Sequence, residues 1–100
     1  MRIRIVDTAK DDLRAGHAFY ELQREDLGEY FLDSLASDID SLLLYAGIHA
    51  RVHGYFRMLS RRFPYAIYYT EAQNEVTVWR VLDLRMDPRR IRRALRSNPR

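Results

Sequence analysis

Apolar residues recur every three or four positions between residues 27 and 46, and this stripe most constrains how the chain can fold. Its members are Leu27, Phe31, Leu35, Ile39, Leu42, Leu43 and Ala46, while mostly polar residues occupy the positions between them. The spacing predicts an amphipathic helix from about Glu29 to Tyr45, ended by Gly47. Such a helix must bury its apolar side against another layer of structure.

The N-terminal segment supplies a strand and a first helix. From Arg2 to Val6, arginine alternates with isoleucine or valine, which predicts a half-buried strand. A weaker apolar stripe predicts a helix from about Ala9 to about Gln23, with Thr8 as its N-cap. The two helices form a hairpin that packs on a sheet.

The second half of the chain has the alternation of strands. Strands are predicted at Tyr55 to Ser60, at Phe63 or Tyr65 to Thr70, and at Val76 to Leu82, with Ile48 to Gly54 as a connection. Pro64 belongs at the start of its strand or at an edge of the sheet, because proline cannot donate to the sheet ladder. Asp87 and Pro88 fit the N-cap and first position of a short helix.

The predicted order is therefore β-α-α-β-β-β with a short C-terminal helix. This order indicates an α+β domain, with the helix hairpin on one face of a mainly antiparallel sheet. We expect the first strand at one side of the sheet and an opposite face free to carry function.

Composition limits the class of protein. One hundred residues fit a single domain, 1–100, whose basic tail at 89–100 we expect to be flexible without a partner. The chain has no cysteine and no apolar run near the roughly 20 residues of a membrane span, so we expect a cytoplasmic protein. His49 and His53 share a spacing of four but lack a third ligand, and His17 reads as a core residue. We therefore predict no metal and no cofactor.

Charge is divided unevenly along the chain. Residues 1–50 carry five basic and ten acidic residues (−5), whereas residues 51–100 carry twelve arginines and four acidic residues (+8), which sum to +3. This asymmetry predicts an acidic partner for the C-terminal half. A solvated arginine-rich surface is the alternative.

Three segments resemble the RelE/ParE family of bacterial toxins. They are the helix hairpin around Leu27-Gly28-Glu29-Tyr30-Phe31, the strand Arg61-Arg62-Phe63-Pro64-Tyr65-Ala66-Ile67-Tyr68-Tyr69, and the ending Val81-Leu82-Asp83-Leu84-Arg85-Met86-Asp87-Pro88. The resemblance spans roughly residues 3–90 and implies the family's fold. It also implies a toxin of a type II toxin–antitoxin system, associated with growth inhibition and plasmid stabilisation and neutralised by a cognate antitoxin.

The family implies two targets. RelE-like members cut mRNA on the ribosome without a metal, whereas ParE-like members bind DNA gyrase and perform no chemistry of their own. The arginines that we predict to contact the target or its phosphates are Arg57, Arg61, Arg62, Arg80 and Arg85, and Arg57, Arg62 and Arg85 are the candidates if the protein is a nuclease. We expect these arginines to give the sheet one continuous cationic side.

Three departures from the nuclease pattern favour the ParE-like branch. Asp83 stands where the family's "VLH" ending has histidine, Tyr65 stands where RNA-cutting members often have arginine, and no tyrosine follows Arg85. RNA cleavage needs a general acid and a general base. The preferred hypothesis is a gyrase inhibitor, not an enzyme. The alternatives are a ribosome-dependent mRNA endonuclease and an inactive homologue that acts only in autoregulation with the antitoxin.

Overall fold

The computed structural model describes residues 1–97, so residues 98–100 of the predicted basic tail lie outside the described part. In chain order its elements are β1 (Arg2–Ile5), α1 (Asp7–Gln23), α2 (Leu27–Asp40), α3 (Leu42–Tyr45), β2 (Ala50–Val52), β3 (Tyr55–Leu59), β4 (Tyr65–Ala72), β5 (Glu75–Asp83) and α4 (Pro88–Arg96). The predicted α+β class, with an N-terminal strand, a helix hairpin and a short C-terminal helix, is confirmed.

The strands form one sheet in the order β1-β5-β4-β3-β2. Strand β1 lies at one edge, as predicted, and runs parallel to β5, whereas the other neighbouring strands are antiparallel. The predicted meander of β3, β4 and β5 is confirmed. The connection predicted at 48–54 is wrong in part, because it contains the short edge strand β2. His53 and Gly54, both with positive φ, form the two-residue turn into β3, and histidine is a weak signal for such a turn.

Two predicted details of the helices are also wrong. Val6, not Thr8, precedes α1, and no side chain caps the helix. The Thr8 hydroxyl instead donates to the carbonyl of Trp79 at 3.4 Å. The second predicted helix is divided at Ser41, whose hydroxyl donates to the Asp38 carbonyl at 2.6 Å. A serine that bonds back to the preceding turn competes with regular helix geometry.

Side chains on the two faces of the sheet belong to two apolar cores. The larger core lies between α1, α2 and the sheet and includes Phe31 and Tyr69. The smaller one includes Tyr68 and lies beneath α4. Tyr68 and Tyr69 therefore point to opposite faces, as strand alternation predicts.

Helix α4 covers the face of the sheet that was predicted to be free. Leu95 is 2% exposed and belongs to the core that includes Tyr68. The Tyr55 hydroxyl donates to the Leu95 carbonyl at 3.0 Å. Asp87 caps the helix as predicted, since its side chain accepts a hydrogen bond from the backbone N–H of Arg89 at 2.9 Å. Burying one leucine side chain stabilises the docked helix by about 2 kcal/mol. The face of the sheet that was predicted to be free is therefore covered by α4.

Across residues 1–97, none of the helices has the length and apolar character needed to cross a membrane.

Candidate target-binding site

The β3–β4 loop and the turn after β5 meet at one end of the sheet. Tyr65 at the start of β4 is paired with Asp83 at the end of β5. The backbone N–H of Leu84 donates to the Pro64 carbonyl at 2.8 Å. This pairing brings the double-arginine segment and Arg85, more than twenty residues apart in sequence, to the same end of the molecule.

Four aromatic rings from the helix hairpin and the β3–β4 loop form a cluster at this end, which we call the aromatic end. They are Phe19, Tyr20, Tyr30 and Phe63. Their rings lie 5.1 Å (Phe19–Tyr20), 4.8 Å (Tyr20–Phe63) and 5.6 Å (Tyr30–Phe63) apart between centroids. Phe19 and Tyr30 are each 46% exposed, which is high for aromatic side chains of this size.

Two of the predicted contact arginines border the aromatic end. The Arg62 guanidinium lies 5.9 Å from the ring centroid of Tyr30, and that of Arg85 lies 5.6 Å from the ring centroid of Phe19. Cations at these distances are attracted to the faces of the rings. Exposed aromatics beside arginine are the combination enriched where proteins bind one another tightly.

Arg85 is held in place by the carboxylate of Asp83. Its Nε and one terminal nitrogen donate to the two Asp83 carboxylate oxygens at 3.0 and 2.9 Å. The same terminal nitrogen lies 3.2 Å from the Tyr20 hydroxyl. Burial raises the pKa of Asp83, but hydrogen bonds from the Arg85 side chain and backbone outweigh it and lower the pKa below its ordinary value.

The phenol beside this ion pair also stays in one protonation state near neutral pH. Burial raises the pKa of Tyr65 to about 12, and the Asp83 carboxylate and Tyr20 add to the shift. Asp83 is then ionised and Tyr65 protonated at pH 7. A catalytic acid or base works best with a pKa near the working pH, so this pair is poorly suited to proton transfer.

Arg61 serves mainly to anchor the β3–β4 loop. Its backbone N–H donates to the Asp38 carboxylate at 3.4 Å, and its Nε lies 3.6 Å from the other carboxylate oxygen. Asp38 is only 5% exposed and also accepts a hydrogen bond from the Ser60 hydroxyl at 2.7 Å. A buried carboxylate needs such partners, and here they fix the backbone position from which the neighbouring Arg62 side chain extends.

Arg57 and Arg80 lie elsewhere, on the face of the sheet that α4 covers. Both are cross-strand neighbours of Tyr68 in β4. Arg80 donates to the two oxygens of Asp12 at 2.8 and 2.9 Å, and this hydrogen bonding raises its pKa further. The half-buried Arg57 hydrogen bonds to the Tyr68 side chain. Arg80 is therefore held in an ion pair with Asp12 and is largely buried.

The five predicted contact arginines do not form one continuous cationic side. Arg61, Arg62 and Arg85 lie at the end of the sheet, where Arg61 and Arg85 have carboxylate partners. Arg57 and Arg80 lie on the α4 face. The expectation fails because alternation along β3 and β5 directs side chains to the covered face, whereas loop residues escape this constraint. The exposed Phe19 and Tyr30 were missed, because each sits outside the apolar stripe of its helix.

An open groove lies on the other side of Asp38, next to the edge strand β2. Its volume is about 700 Å³, and its lining includes Tyr45, Ile48, Met58 and Leu59. Ile48 is 73% exposed and Leu59 53% exposed. An apolar, concave surface beside an unpaired strand edge can accept an extended or helical segment of another chain.

The histidines give no sign of a metal site. His49 hydrogen bonds through Nδ1 to the Tyr69 hydroxyl, and burial lowers the pKa of His49. His17 is half-buried, and its Nε2 lies 3.3 Å from the Glu29 carboxylate, so it is not the core residue that was predicted. In the stretch from residue 1 to residue 97, His, Asp and Glu side chains do not gather in groups of three or more that could hold a metal ion.

The sheet order and the flanking helices define the architecture expected for RelE/ParE-like toxins. No family model matches the chain, and no curated protein matches it. Among solved structures, the chain is similar to one from the chromosomal ParDE toxin–antitoxin system of P. aeruginosa. The TM-score is 0.76 at 17% identity, over 84% of this chain and 96% of that chain. The predicted RelE/ParE-like fold is thereby confirmed.

Proposed function

We propose that the protein is the toxin of a type II toxin–antitoxin system, and that it inhibits growth by binding DNA gyrase. It is kept inactive by a cognate antitoxin. The likeness of fold to a chain of a ParDE system supports the toxin assignment. The Asp83–Arg85 ion pair is the observation that favours binding over RNA cleavage.

Asp83 and its neighbours are poorly suited to RNA cleavage. Cleavage through the ribose 2′-hydroxyl needs a group that removes a proton and another that protonates the leaving oxygen. At the position of the family's histidine, this chain has a carboxylate whose pKa is lowered by Arg85. The neighbouring Tyr65 holds its proton to about pH 12. Arg85 is in turn bound to Asp83, so its charge is less available to a phosphate.

The aromatic end is the surface that suits a protein target. Phe19 and Tyr30 offer exposed rings, and Arg62 adds a cation that forms no salt bridge with residues 1–97. Binding energy at protein interfaces is concentrated in aromatic and arginine side chains of this kind. We assign the gyrase contact to this end of the sheet.

The groove beside β2 is the site that we assign to the antitoxin. Its apolar lining suits one face of an amphipathic segment, and strand β2 offers unpaired backbone groups along the sheet edge. Arg61 contributes to its wall, and Arg51 lies on the adjacent strand. These cations favour a segment whose polar face is acidic.

Purified protein should inhibit DNA supercoiling by purified gyrase at near-stoichiometric amounts. The variant combining Tyr30→Ala and Arg62→Ala should inhibit at least tenfold less, because it removes the exposed ring and its cation. Arg2→Ala is the matched control, since Arg2 is exposed at the opposite end of the sheet, beside Glu75. Supercoiling that proceeds unimpaired at excess wild-type protein would rule out the gyrase assignment.

The endonuclease alternative gives a different result in cells. Primer extension on mRNA from induced cells would show cuts at ribosomal A sites for a RelE-like enzyme, and intact mRNA for the gyrase inhibitor proposed here. A third outcome, growth unaffected by expression without antitoxin, would support the inactive homologue.

A further inference from the structure

Helix α4 presents an unbroken arginine surface to solvent. Arg89, Arg92, Arg93 and Arg96 follow the spacing i, i+3, i+4, i+7, which places them along one side of a helix, with Arg90 next to them. All five are exposed. The opposite side of the helix is held on the sheet by Leu95, with Ile91 and Ala94 packed beside it.

Most of this charge has no counter-ion within the described chain. Arg89 is paired with Asp87 at 3.0 Å, but its side chain is still 83% exposed. Arg90, Arg92, Arg93 and Arg96 form no salt bridge with any part of residues 1–97. Five arginines against one aspartate leave a net charge of +4 on about three turns of helix. Like charges three and four residues apart on a helix repel, and a polyanion bound to this surface would relieve that repulsion.

We propose that α4 is a phosphate-binding surface for double-helical nucleic acid, read without regard to sequence. A protein partner fits less well, because protein interfaces need apolar or aromatic residues at their centre. The outward side of α4 carries arginine and no apolar residue. Interfaces with nucleic acid are instead polar and strongly positive.

The same composition favours a duplex over a single strand. Proteins that bind single strands stack the bases on exposed aromatic rings. Trp79, the one tryptophan of the chain, is packed against the core under α4, and its indole N–H donates to the Thr70 hydroxyl at 2.9 Å. Arginine without aromatic partners suits the sugar–phosphate backbone, which presents the same charges whatever the base sequence.

The dimensions of the arginine stripe match this ligand. Arg96 is seven positions after Arg89 on the helix, so the stripe is about 10 Å long. A duplex carries one phosphate charge about every 3.4 Å along each strand, so about three phosphates of one strand face the stripe. Arginine also binds phosphate through two parallel hydrogen bonds, which lysine cannot provide.

This surface is separate from the one assigned to gyrase. The aromatic end is built largely by α1, α2 and the β3–β4 loop, whereas α4 lies on the opposite face of the sheet. Binding of nucleic acid by α4 therefore does not depend on the gyrase assignment.

The proposal is tested by fluorescence anisotropy of labelled 20-base-pair DNA duplexes of two unrelated sequences, titrated with the full chain between 50 and 200 mM salt. Both duplexes should bind equally. For about three phosphate contacts, the slope of log K against log salt should be about −2.7, a loss of roughly 40-fold over this range. The variant combining Arg92→Gln, Arg93→Gln and Arg96→Gln should flatten the slope to between about −1 and zero.

A control variant combining Arg2→Gln, Arg14→Gln and Arg24→Gln removes the same three charges from exposed positions away from α4, and should keep most of the slope. Circular dichroism should give both variants the wild-type melting behaviour, because none of the six side chains is buried. Equal losses in the two variants would overturn the proposal. So would tighter binding of a single strand or of poly-glutamate than of the duplex, or no binding at 50 mM salt.

Discussion

Asp12 on α1 and Arg80 on β5, which are 68 residues apart in sequence, form a bidentate salt bridge with hydrogen bonds of 2.8 and 2.9 Å. The same carboxylate accepts the backbone N–H of Val81 at 2.9 Å. The two side chains are only 13% and 20% exposed. Arg80 also reaches the Ala94 carbonyl at 3.5 Å, so one ion pair links the helix hairpin, the sheet and α4.

Replacing Asp12 with alanine should lower the free energy of unfolding by about 3 kcal/mol, because it leaves a largely buried guanidinium and a backbone N–H without their acceptor. Urea unfolding followed by circular dichroism measures the change. The neighbouring Asp11→Ala is the matched control. Asp11 pairs with Arg14 on the exposed surface, and such pairs contribute about 0.5 kcal/mol or less. Equal losses in the two variants would show that the buried pair has no special role.

The contact between Gly16 and Phe31 gives a second prediction. A Cβ added at Gly16 would lie 2.4 Å from the Phe31 ring, which is fully buried and has no room to move. Gly16→Ala should therefore destabilise the protein by about 2 kcal/mol net, since overpacking outweighs the better helix propensity of alanine. Thermal unfolding is a sufficient measurement. The loss should shrink in a Phe31→Leu background, and an undiminished loss there would contradict the steric explanation.

Periodicity was enough to predict most of the fold. The change from helical spacing before Gly47 to alternation after Tyr55 carries the α+β class, and Asp87-Pro88 marks the start of α4. Strand β2 escaped prediction because three residues are too few to show alternation, and because His53 is an unusual residue for its positive φ.

The candidate site was harder to predict, because its geometry depends on contacts between distant segments. Counting charges along the sequence does not reveal that Arg80 pairs with Asp12 or that Arg85 pairs with Asp83. The hairpin motif pointed to the region of Tyr30, but not to its exposure beside Arg62. The sequence shows how many arginines the chain has. The register of the strands decides which of these arginines are paired with a carboxylate and which are free to contact a partner.

The lowered pKa of Asp83 gives a pH dependence with a definite sign. A carboxyl group with a lower pKa in the folded protein stabilises it above the ordinary value of 3.8, and this contribution is lost as the pH falls through the folded pKa. Asp83→Asn should thus be less stable than wild type at pH 7, and the gap should narrow below about pH 4. Urea unfolding at both pH values measures it. In an Arg85→Gln background the difference in stability should be small at either pH. A difference that persists there would show that Arg85 is not the cause of the lowered pKa of Asp83.

The docking of α4 through one leucine gives the last prediction. Leu95→Ala removes the most buried side chain of the helix and should cost about 2–4 kcal/mol. Leu22→Ala, at a side chain 90% exposed on α1, should change stability by about 0.5 kcal/mol or less. Because Leu95 holds the arginine stripe on the sheet, the Leu95 variant should also bind duplex DNA more weakly, although every arginine is retained. Unchanged DNA affinity in a measurably destabilised Leu95 variant would show that the arginine stripe binds DNA without α4 being docked on the sheet.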